Sequence, residues 1–153
     1  MNLKITTNFL ENDKFFKIKQ LLMSGQLPWY QYPNLIFRHP IVVDGEFFSS
    51  YSLDFKDLFE SIENKKIHQA VCELYPQTSK IIKHEYCTEM EKPLLEFQTS
   101  TLYINTNNGH TELLKNETIN SEANKLITFK TLTPYRESTC TDKNKLLIKI
   151  TYE

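Results

Sequence analysis

The stretch at residues 101–111, which reads TLYINTNNGHT, is the most informative part of the chain. Its first half combines β-branched and aromatic residues, which favour a β-strand. Its second half brings asparagines and Gly109 together, and these residues favour tight turns. The stretch therefore predicts a strand that runs into a tight turn, the pattern of a β-hairpin.

Further short strands are predicted on both sides of this stretch. Apolar or β-branched runs occupy residues 67–75, 81–86, 99–106, 125–129 and 145–152. Turn signals separate several of them, at residues 107–109, 115–117, 120–122 and 141–144. Short strands joined by short turns, without intervening helices, favour an antiparallel sandwich or jelly roll.

The first third of the chain predicts helices and loops. Residues 12–23 and 52–63 each carry apolar side chains at helical spacing. The segment between them, 27–33, contains two prolines and three aromatic residues, so it is not helical throughout. We expect its aromatic side chains to pack over a sheet.

These elements together predict one mainly β domain over residues 1–153. Its helical and loop part covers residues 1–66, and its jelly-roll core covers residues 67–153. The length suits one domain, and no repeat or linker divides the chain. We expect the two helices to pack on one sheet of the core.

The composition excludes several classes of function. The chain has 153 residues, of which 40% are hydrophobic and 24% charged, as in soluble globular proteins. Eighteen basic and nineteen acidic residues give a net charge of −1, so no strong field attracts nucleic acid. No apolar run is long enough for a membrane span. An odd number of separated cysteines fits a reducing compartment, so we expect the protein in the cytoplasm or in something assembled there: Cys72, Cys87 and Cys140.

General catalytic motifs are absent from the sequence. There is no glycine-rich phosphate loop, no nucleophile elbow and no H-E-x-x-H pair. The histidines lie far apart, and we expect surface or structural roles for each of them: His39, His68, His84 and His110. An acidic cluster surrounds Cys87, which predicts a solvated edge: Glu85, Glu89 and Glu91.

Several stretches nevertheless resemble one enzyme family. Residues 102–111 are similar to a Y-x-N-T-N-x-G-x-T signature, and residues 123–129, ANKLITF, are similar to an A-N-R strand motif. Residues 28–30, 74–78 and 138–142 also fall at family positions. The chain thus resembles the small iron(II)/2-oxoglutarate-dependent oxygenases common in marine phages and bacteria. The resemblance implies a double-stranded β-helix, a cupin-like jelly roll with a pocket between its two sheets.

The resemblance also indicates where the family holds its cofactors. Its two histidines and one carboxylate, which bind iron(II), correspond here to Cys87, Tyr135 and Glu89. Its late arginine, which pairs with the 2-oxoglutarate carboxylate, corresponds to Lys145. If the chain is active, the resemblance makes Lys145 and Tyr103 the 2-oxoglutarate-binding residues.

Each replacement predicts weaker cofactor binding. A phenol must lose its proton to bind iron, and its ordinary pKa is near 10. A thiolate beside an oxygen-activating iron is prone to oxidation, and Glu89 is one methylene longer than aspartate. Lys145 keeps a positive charge but lacks the bidentate fork of arginine. We therefore expect no catalytic residue, no metal site and no cofactor.

Two other ways of holding a metal remain open. His84 or His110 could supply an imidazole, although His84 lies three residues before Cys87 and so points to the opposite face of a regular strand. Zinc on Cys87 and Glu89 is the second.

The leading functional hypothesis is a degenerate oxygenase that acts as a non-catalytic binding or structural component. The family's frequency in phages favours a virion component, with protein partners or a homo-oligomer rather than nucleic acid or membrane. Aromatic loops such as residues 29–32 would supply contact area. The alternatives are an active iron(II)/2-oxoglutarate-dependent dioxygenase that hydroxylates a protein, nucleotide or small molecule, and a ligand-binding jelly roll without metal.

Overall fold

The computed structural model describes residues 3–62, 65–88, 97–114 and 116–153. Most of these residues belong to antiparallel strands. The elements in chain order are β1 (Lys4–Thr6), α1 (Asn12–Met23), β2 (Tyr30–Tyr32), β3 (Ile36–Val43), β4 (Glu46–Phe47), α2 (Lys56–Ser61), β5 (Ile67–Tyr75), β6 (Gln98–Tyr103), β7 (His110–Leu113), β8 (Glu117–Asn120), β9 (Leu126–Lys130), β10 (Tyr135–Glu137) and β11 (Lys145–Tyr152). Two 3₁₀ segments join them, at Pro33–Leu35 and Ser52–Phe55.

Two sheets form the body of the molecule. The larger has the order β1-β9-β6-β11-β5-β3-β2, with β4 paired to β3, and the smaller has the order β10-β7-β8. Residues 81–88 run beside β10 and make two isolated bridges, Cys87 to Tyr135 of β10 and Lys83 to Ser138 just after it. The fold is the expected double-stranded β-helix, a jelly roll whose two sheets enclose a common interior.

The alternation of side chains along β11 separates two hydrophobic regions. Ile148 and Ile150 belong to the cluster that also holds Ile18 of α1 and Leu58 of α2. Leu147 belongs to a second cluster inside the barrel, formed with side chains of both sheets. The helices therefore cover the outer face of the large sheet, and the inner face lines the barrel.

Several predicted elements are confirmed, and each of them buries apolar side chains. Helix α1 and strands β5 and β11 have the predicted bounds. The second helix is shorter than predicted: a 3₁₀ turn at Ser52–Phe55 leads into α2, and residues 63 and 64 lie outside the described part.

Other predictions are wrong. Strands β1 to β4 lie in the first third, where only helices and loops were expected, because long-range pairing with β9 and β5 holds them. Residues 81–86 form no continuous strand: they make one isolated bridge, Lys83 to Ser138, and the His84 amide donates to the Glu137 carbonyl of β10. The predicted hairpin at 101–111 does not form either. Strand β6 lies in the large sheet and β7 in the small one, so this turn carries the chain from one sheet to the other.

The turn after β6 is instead held by contacts to distant segments. The Asn105 side chain donates to the carbonyl of Asn144 and accepts from the amide of Leu146. Asn107 accepts from the amide of Gly109. The Asn105 bonds fasten the turn to the start of β11, and the Asn107 bond closes the turn on itself, which explains why asparagines stand there.

The described helices give no sign of a membrane span: none is both long and apolar enough to cross a bilayer.

Candidate functional site

A cavity of about 530 Å³ opens inside the barrel between the two sheets. The large sheet contributes Arg38, Tyr75 and Lys149, the small sheet contributes Tyr135 and Glu137, and the segment 84–88 closes one side. A larger cleft, of about 690 Å³, lies elsewhere, and the charged residues on its rim are exposed: Lys56, Glu60 and Lys65. The barrel cavity is the candidate site because buried ionisable side chains converge there.

The structure brings together Cys87 and Tyr135, two of the three positions that the resemblance assigns to metal ligands. Their backbones exchange two hydrogen bonds, of 2.8 Å and 3.0 Å between amide nitrogen and carbonyl oxygen. Tyr135 is 1% exposed, whereas Cys87 is exposed. Glu89, the third predicted position, lies outside the described residues, as does Glu91 of the acidic cluster.

The phenol of Tyr135 is engaged by a lysine. The Lys149 Nζ atom lies 2.6 Å from the Tyr135 hydroxyl oxygen and donates to it. The same ammonium lies 2.8 Å from Glu73 Oε1. Lys149 and Glu73 are 3% and 1% exposed, so this ion pair is buried beneath the cavity.

Glu73 is the centre of a charged cluster. The Tyr75 hydroxyl donates to it at 2.6 Å, and Arg38 Nε lies 3.6 Å from the same carboxylate. Burial alone raises the pKa of Glu73, but the charges of Lys149 and Arg38 outweigh burial and bring that pKa down to about 2. Glu73 is therefore a carboxylate at neutral pH, and burial raises the pKa of Tyr75, which stays protonated.

A second buried ion pair joins Lys145 and Glu137. Lys145 is fully buried, and its Nζ atom lies 2.6 Å from Glu137 Oε2, 2.9 Å from the His110 carbonyl and 3.1 Å from the Ser138 carbonyl. All three directions in which an ammonium can donate are thus used within the chain. Lys145 carries no donor that is available to a ligand in this arrangement.

Tyr103 is connected to the Lys145–Glu137 ion pair by hydrogen bonds through Thr111. The Tyr103 hydroxyl lies 2.5 Å from Thr111 Oγ1, and Thr111 donates to the Glu137 carboxylate at 2.8–3.0 Å. Burial, with Glu137 next, raises the pKa of Tyr103, so its hydroxyl keeps its proton. Of the two residues predicted to bind 2-oxoglutarate, Lys145 therefore bonds Glu137 directly and Tyr103 is connected to it through Thr111.

The two histidines differ in their relation to the cavity. The expectation that His84 faces away is wrong: it lines the cavity, with its ring centroid 5.4 Å from that of Tyr75. The reason is that residues 81–88 do not alternate as a regular strand. Burial and the Lys145 ammonium lower the pKa of His84, so its imidazole is neutral at pH 7. His110 instead bonds Glu112, on the face of β7 opposite Thr111.

The donor set around the cavity does not fit an iron(II) ion. Across the described ranges, which omit 89–96, no three His, Cys, Asp or Glu side chains lie close enough to hold a metal. The phenol oxygen of Tyr135 already accepts a hydrogen bond from the buried Lys149 ammonium. A dication bound to that oxygen would be repelled by the ammonium charge. Cys87 and His84 are the remaining soft or imidazole donors at the cavity.

Four residues central to this site were missed by sequence reasoning: Arg38, Glu73, Glu137 and Lys149. A usable signal existed for two of them. Glu73 and Lys149 interrupt apolar runs, and in both strands the interruption falls at a buried position. A charge in such a position indicates an internal partner, although the sequence does not say which one.

Comparison with known proteins gives structural but no sequence relatives. No family model and no curated protein matches the sequence. A prolyl hydroxylase from Trichoplax adhaerens, solved with a hypoxia-inducible-factor peptide, superposes with TM-score 0.70 and 13% identity over 98% of this chain and 82% of its own.

Viral and bacterial structures superpose equally well. The viral collagen prolyl hydroxylase of Paramecium Bursaria Chlorella virus-1 has TM-score 0.71 and 8% identity, over 99% of this chain and 96% of its own. A 2-oxoglutarate–Fe(II) oxygenase from Burkholderia pseudomallei has TM-score 0.72 and 8% identity, over 99% and 85%. What the chain has in common with these enzymes is the double-stranded β-helix fold of the 2-oxoglutarate oxygenases.

Proposed function

We propose that this chain is a non-catalytic protein built on the 2-oxoglutarate oxygenase fold, acting as a binding or structural module. The observation that carries the proposal is the 2.6 Å contact between the Lys149 ammonium and the Tyr135 hydroxyl. The resemblance makes Tyr135 a metal-ligand position, and a positive charge beside that position disfavours a metal ion.

The second ion pair supports the same conclusion. Lys145 uses its three donor directions on Glu137 and two carbonyl groups, so a 2-oxoglutarate carboxylate would have to displace a buried internal carboxylate. Breaking a buried ion pair by removing one partner typically costs about 3–5 kcal/mol. Among the described residues, the positions that the resemblance assigns to the metal and the keto acid are thus both engaged in internal contacts.

A binding role is supported by aromatic side chains at the edge of the large sheet. Strand β2 is the outermost strand on its side, and Tyr30 and Tyr32 are 51% and 40% exposed. Trp29, in contrast, packs partly against the core. An exposed edge strand with tyrosines offers backbone and ring contacts to a protein partner, or to a second copy of this chain. We place such an assembly in the cytoplasm, or in a virion if the protein is phage-encoded.

The alternative function is an active oxygenase with an unusual metal site. The similarity of its fold to enzymes such as the viral collagen prolyl hydroxylase, solved with 2-oxoglutarate, favours this alternative. It requires that Lys149 leave Tyr135 and that Glu137 leave Lys145 on cofactor binding.

The two functions are distinguished by anaerobic titration of the full chain with iron(II) and 2-oxoglutarate. A keto acid that chelates iron gives a visible charge-transfer band, and we expect no such band here. The viral collagen prolyl hydroxylase serves as the positive control. A band that saturates at one iron per chain, with oxygen consumption when air is admitted, would overturn the proposal.

A further inference from the structure

Glu137 occupies an enclosed polar position at the wall of the barrel cavity. It lies at the end of β10, is 3% exposed and lines the cavity. One carboxylate oxygen accepts from Lys145 at 2.6 Å, and the Thr111 hydroxyl lies within 3.0 Å of both oxygens. A buried cation and an oriented hydroxyl are the groups with which proteins bind a carboxylate.

The donors are held in place independently of Glu137. The Lys145 ammonium is anchored by the carbonyl groups of His110 and Ser138. Tyr103 bonds the Thr111 oxygen, which turns the Thr111 proton towards the carboxylate. Gly109 leaves room for the lysine stem, since a Cβ there would lie 3.2 Å from Lys145 Cδ. These contacts would keep the donors oriented if the glutamate were shortened.

We propose that Glu137 is a built-in ligand that occupies a carboxylate-binding subsite formed by Lys145, Thr111 and Tyr103. The natural chain excludes free carboxylates from the subsite by filling it. Shortening Glu137 opens the subsite to a small monocarboxylate that enters through the cavity. The inference rests on the proposed function, because a chain that fills this position itself does not use it for a keto acid.

The size of the ligand follows from the atoms removed. Glu137→Ala keeps Cβ and deletes one methylene and one carboxylate, which together have the heavy atoms of acetate. The subsite of this variant should therefore prefer acetate. The vacated ammonium would otherwise remain buried beside a void, which is unfavourable, so the bound anion should stabilise the fold.

The test measures the melting temperature of Glu137→Ala in sodium acetate and in sodium chloride at equal ionic strength. We expect the melting temperature of Glu137→Ala to rise saturably with acetate concentration and not to rise in the same way with chloride. The melting temperature of the natural protein should show no acetate-specific rise. Glu137→Ala/Lys145→Met is the matched control and should lose the rise, because the cation is gone. A folded Glu137→Ala variant that responds equally to both salts would overturn the proposal.

Poor folding of the variant still gives a decision. A chain that folds only when acetate is present supports the subsite. If it folds in neither salt, Glu137→Gln, Lys145→Met and their combination are compared by urea unfolding of the full chain. A double variant no less stable than Lys145→Met supports a ligand pair, whereas simple addition of the two losses contradicts it. These outcomes do not depend on iron, so failure here is distinguishable from failure of the iron titration.

Discussion

At the scale of single residues, the barrel interior contains two buried ion pairs among its apolar side chains. Glu73 and Glu137 each lie in a strand, and each is neutralised by a lysine of β11. Buried pairs of this kind contribute little over an apolar core, but they become costly when one partner is removed. In the structure the pairing is Lys149 with Glu73 and Lys145 with Glu137.

Substitution of Glu73 by glutamine should destabilise the protein in a pH-dependent way. Its pKa is about 2 in the folded chain against an ordinary value of 4.5, so ionised Glu73 contributes about 3 kcal/mol above pH 4.5. That contribution is lost as the pH falls from 4.5 towards 2. Glu73→Gln should cost about 3–5 kcal/mol at pH 7, because Lys149 loses its carboxylate, and its stability should fall less steeply on acidification.

Urea unfolding at pH 7 and at steps below pH 4.5 checks this expectation. The matched control is Glu60→Gln, an exposed glutamate of α2, which should change stability by less than about 0.5 kcal/mol. Equal acid sensitivity of natural protein and Glu73→Gln would show that the buried pair does not control it.

At the scale of elements, the segment at 81–88 is held by backbone hydrogen bonds to residues 135–139 and, at its start, by the side chain of Thr139. The Ile82 amide donates to Thr139 Oγ1 at 2.9 Å, and the Thr139 amide donates to the Ile82 carbonyl at 2.8 Å. The Thr139 hydroxyl also lies 2.6 Å from Thr78 Oγ1. Thr139 therefore anchors the start of the segment that brings His84 and Cys87 to the cavity.

Substitution of Thr139 by valine should loosen this segment without changing its volume. The Ile82 amide would lose its protein acceptor, and because Ile82 is partly open to water the expected loss is that of one ordinary hydrogen bond, about 0.5–1.5 kcal/mol. Amide hydrogen exchange at Ile82 should become faster in step with the loss of stability. Thr118→Val, at an exposed position of β8, is the control and should leave both unchanged. Unaltered exchange at Ile82 in Thr139→Val would contradict this role.

At the scale of the whole molecule, the N-terminal third is bound into the barrel through Asn124. Its side chain accepts from the Leu10 amide at 2.9 Å and donates to the Leu10 carbonyl at 2.8 Å. Its own carbonyl accepts from Phe9. Asn124 has a φ of +61°, a conformation that asparagine tolerates better than most residues. The asparagine of the 123–129 motif thus connects the N-terminal segment at residues 9 and 10 to the loop that precedes β9.

Substitution of Asn124 by alanine should destabilise the whole molecule. It removes two hydrogen bonds and leaves a Cβ residue in the left-handed region, for an expected loss of about 2–4 kcal/mol. Asn124→Gly keeps the backbone conformation and should lose less. Urea unfolding of both variants measures the difference. Equal losses would mean that the backbone conformation contributes nothing and that the hydrogen bonds carry the whole effect.

The spacing of apolar residues predicted those helices and strands well that bury one whole face against a neighbouring element. Helix α1, β5 and β11 have apolar spacing that matches their burial, and each has the predicted bounds. Short strands such as β7, β8 and β10 have too few residues to show a period, and pairing alone defines them. The turn predicted at 107–109 connects two sheets and not two paired strands, because β6 and β7 belong to different sheets and Asn105 bonds the Leu146 amide of β11.

The sequence by itself determined the β-rich class, the helical cover and the residues that stand at the expected ligand positions. These follow from periodicity and from the chemistry of single side chains, which need no neighbours to be recognised. The tertiary structure alone decided which groups meet inside the barrel: Lys149 with Tyr135, and Lys145 with Glu137. A charged residue in an apolar strand indicates that a partner of opposite charge is needed. Which residue is that partner depends on how strands that are distant in the chain pack together.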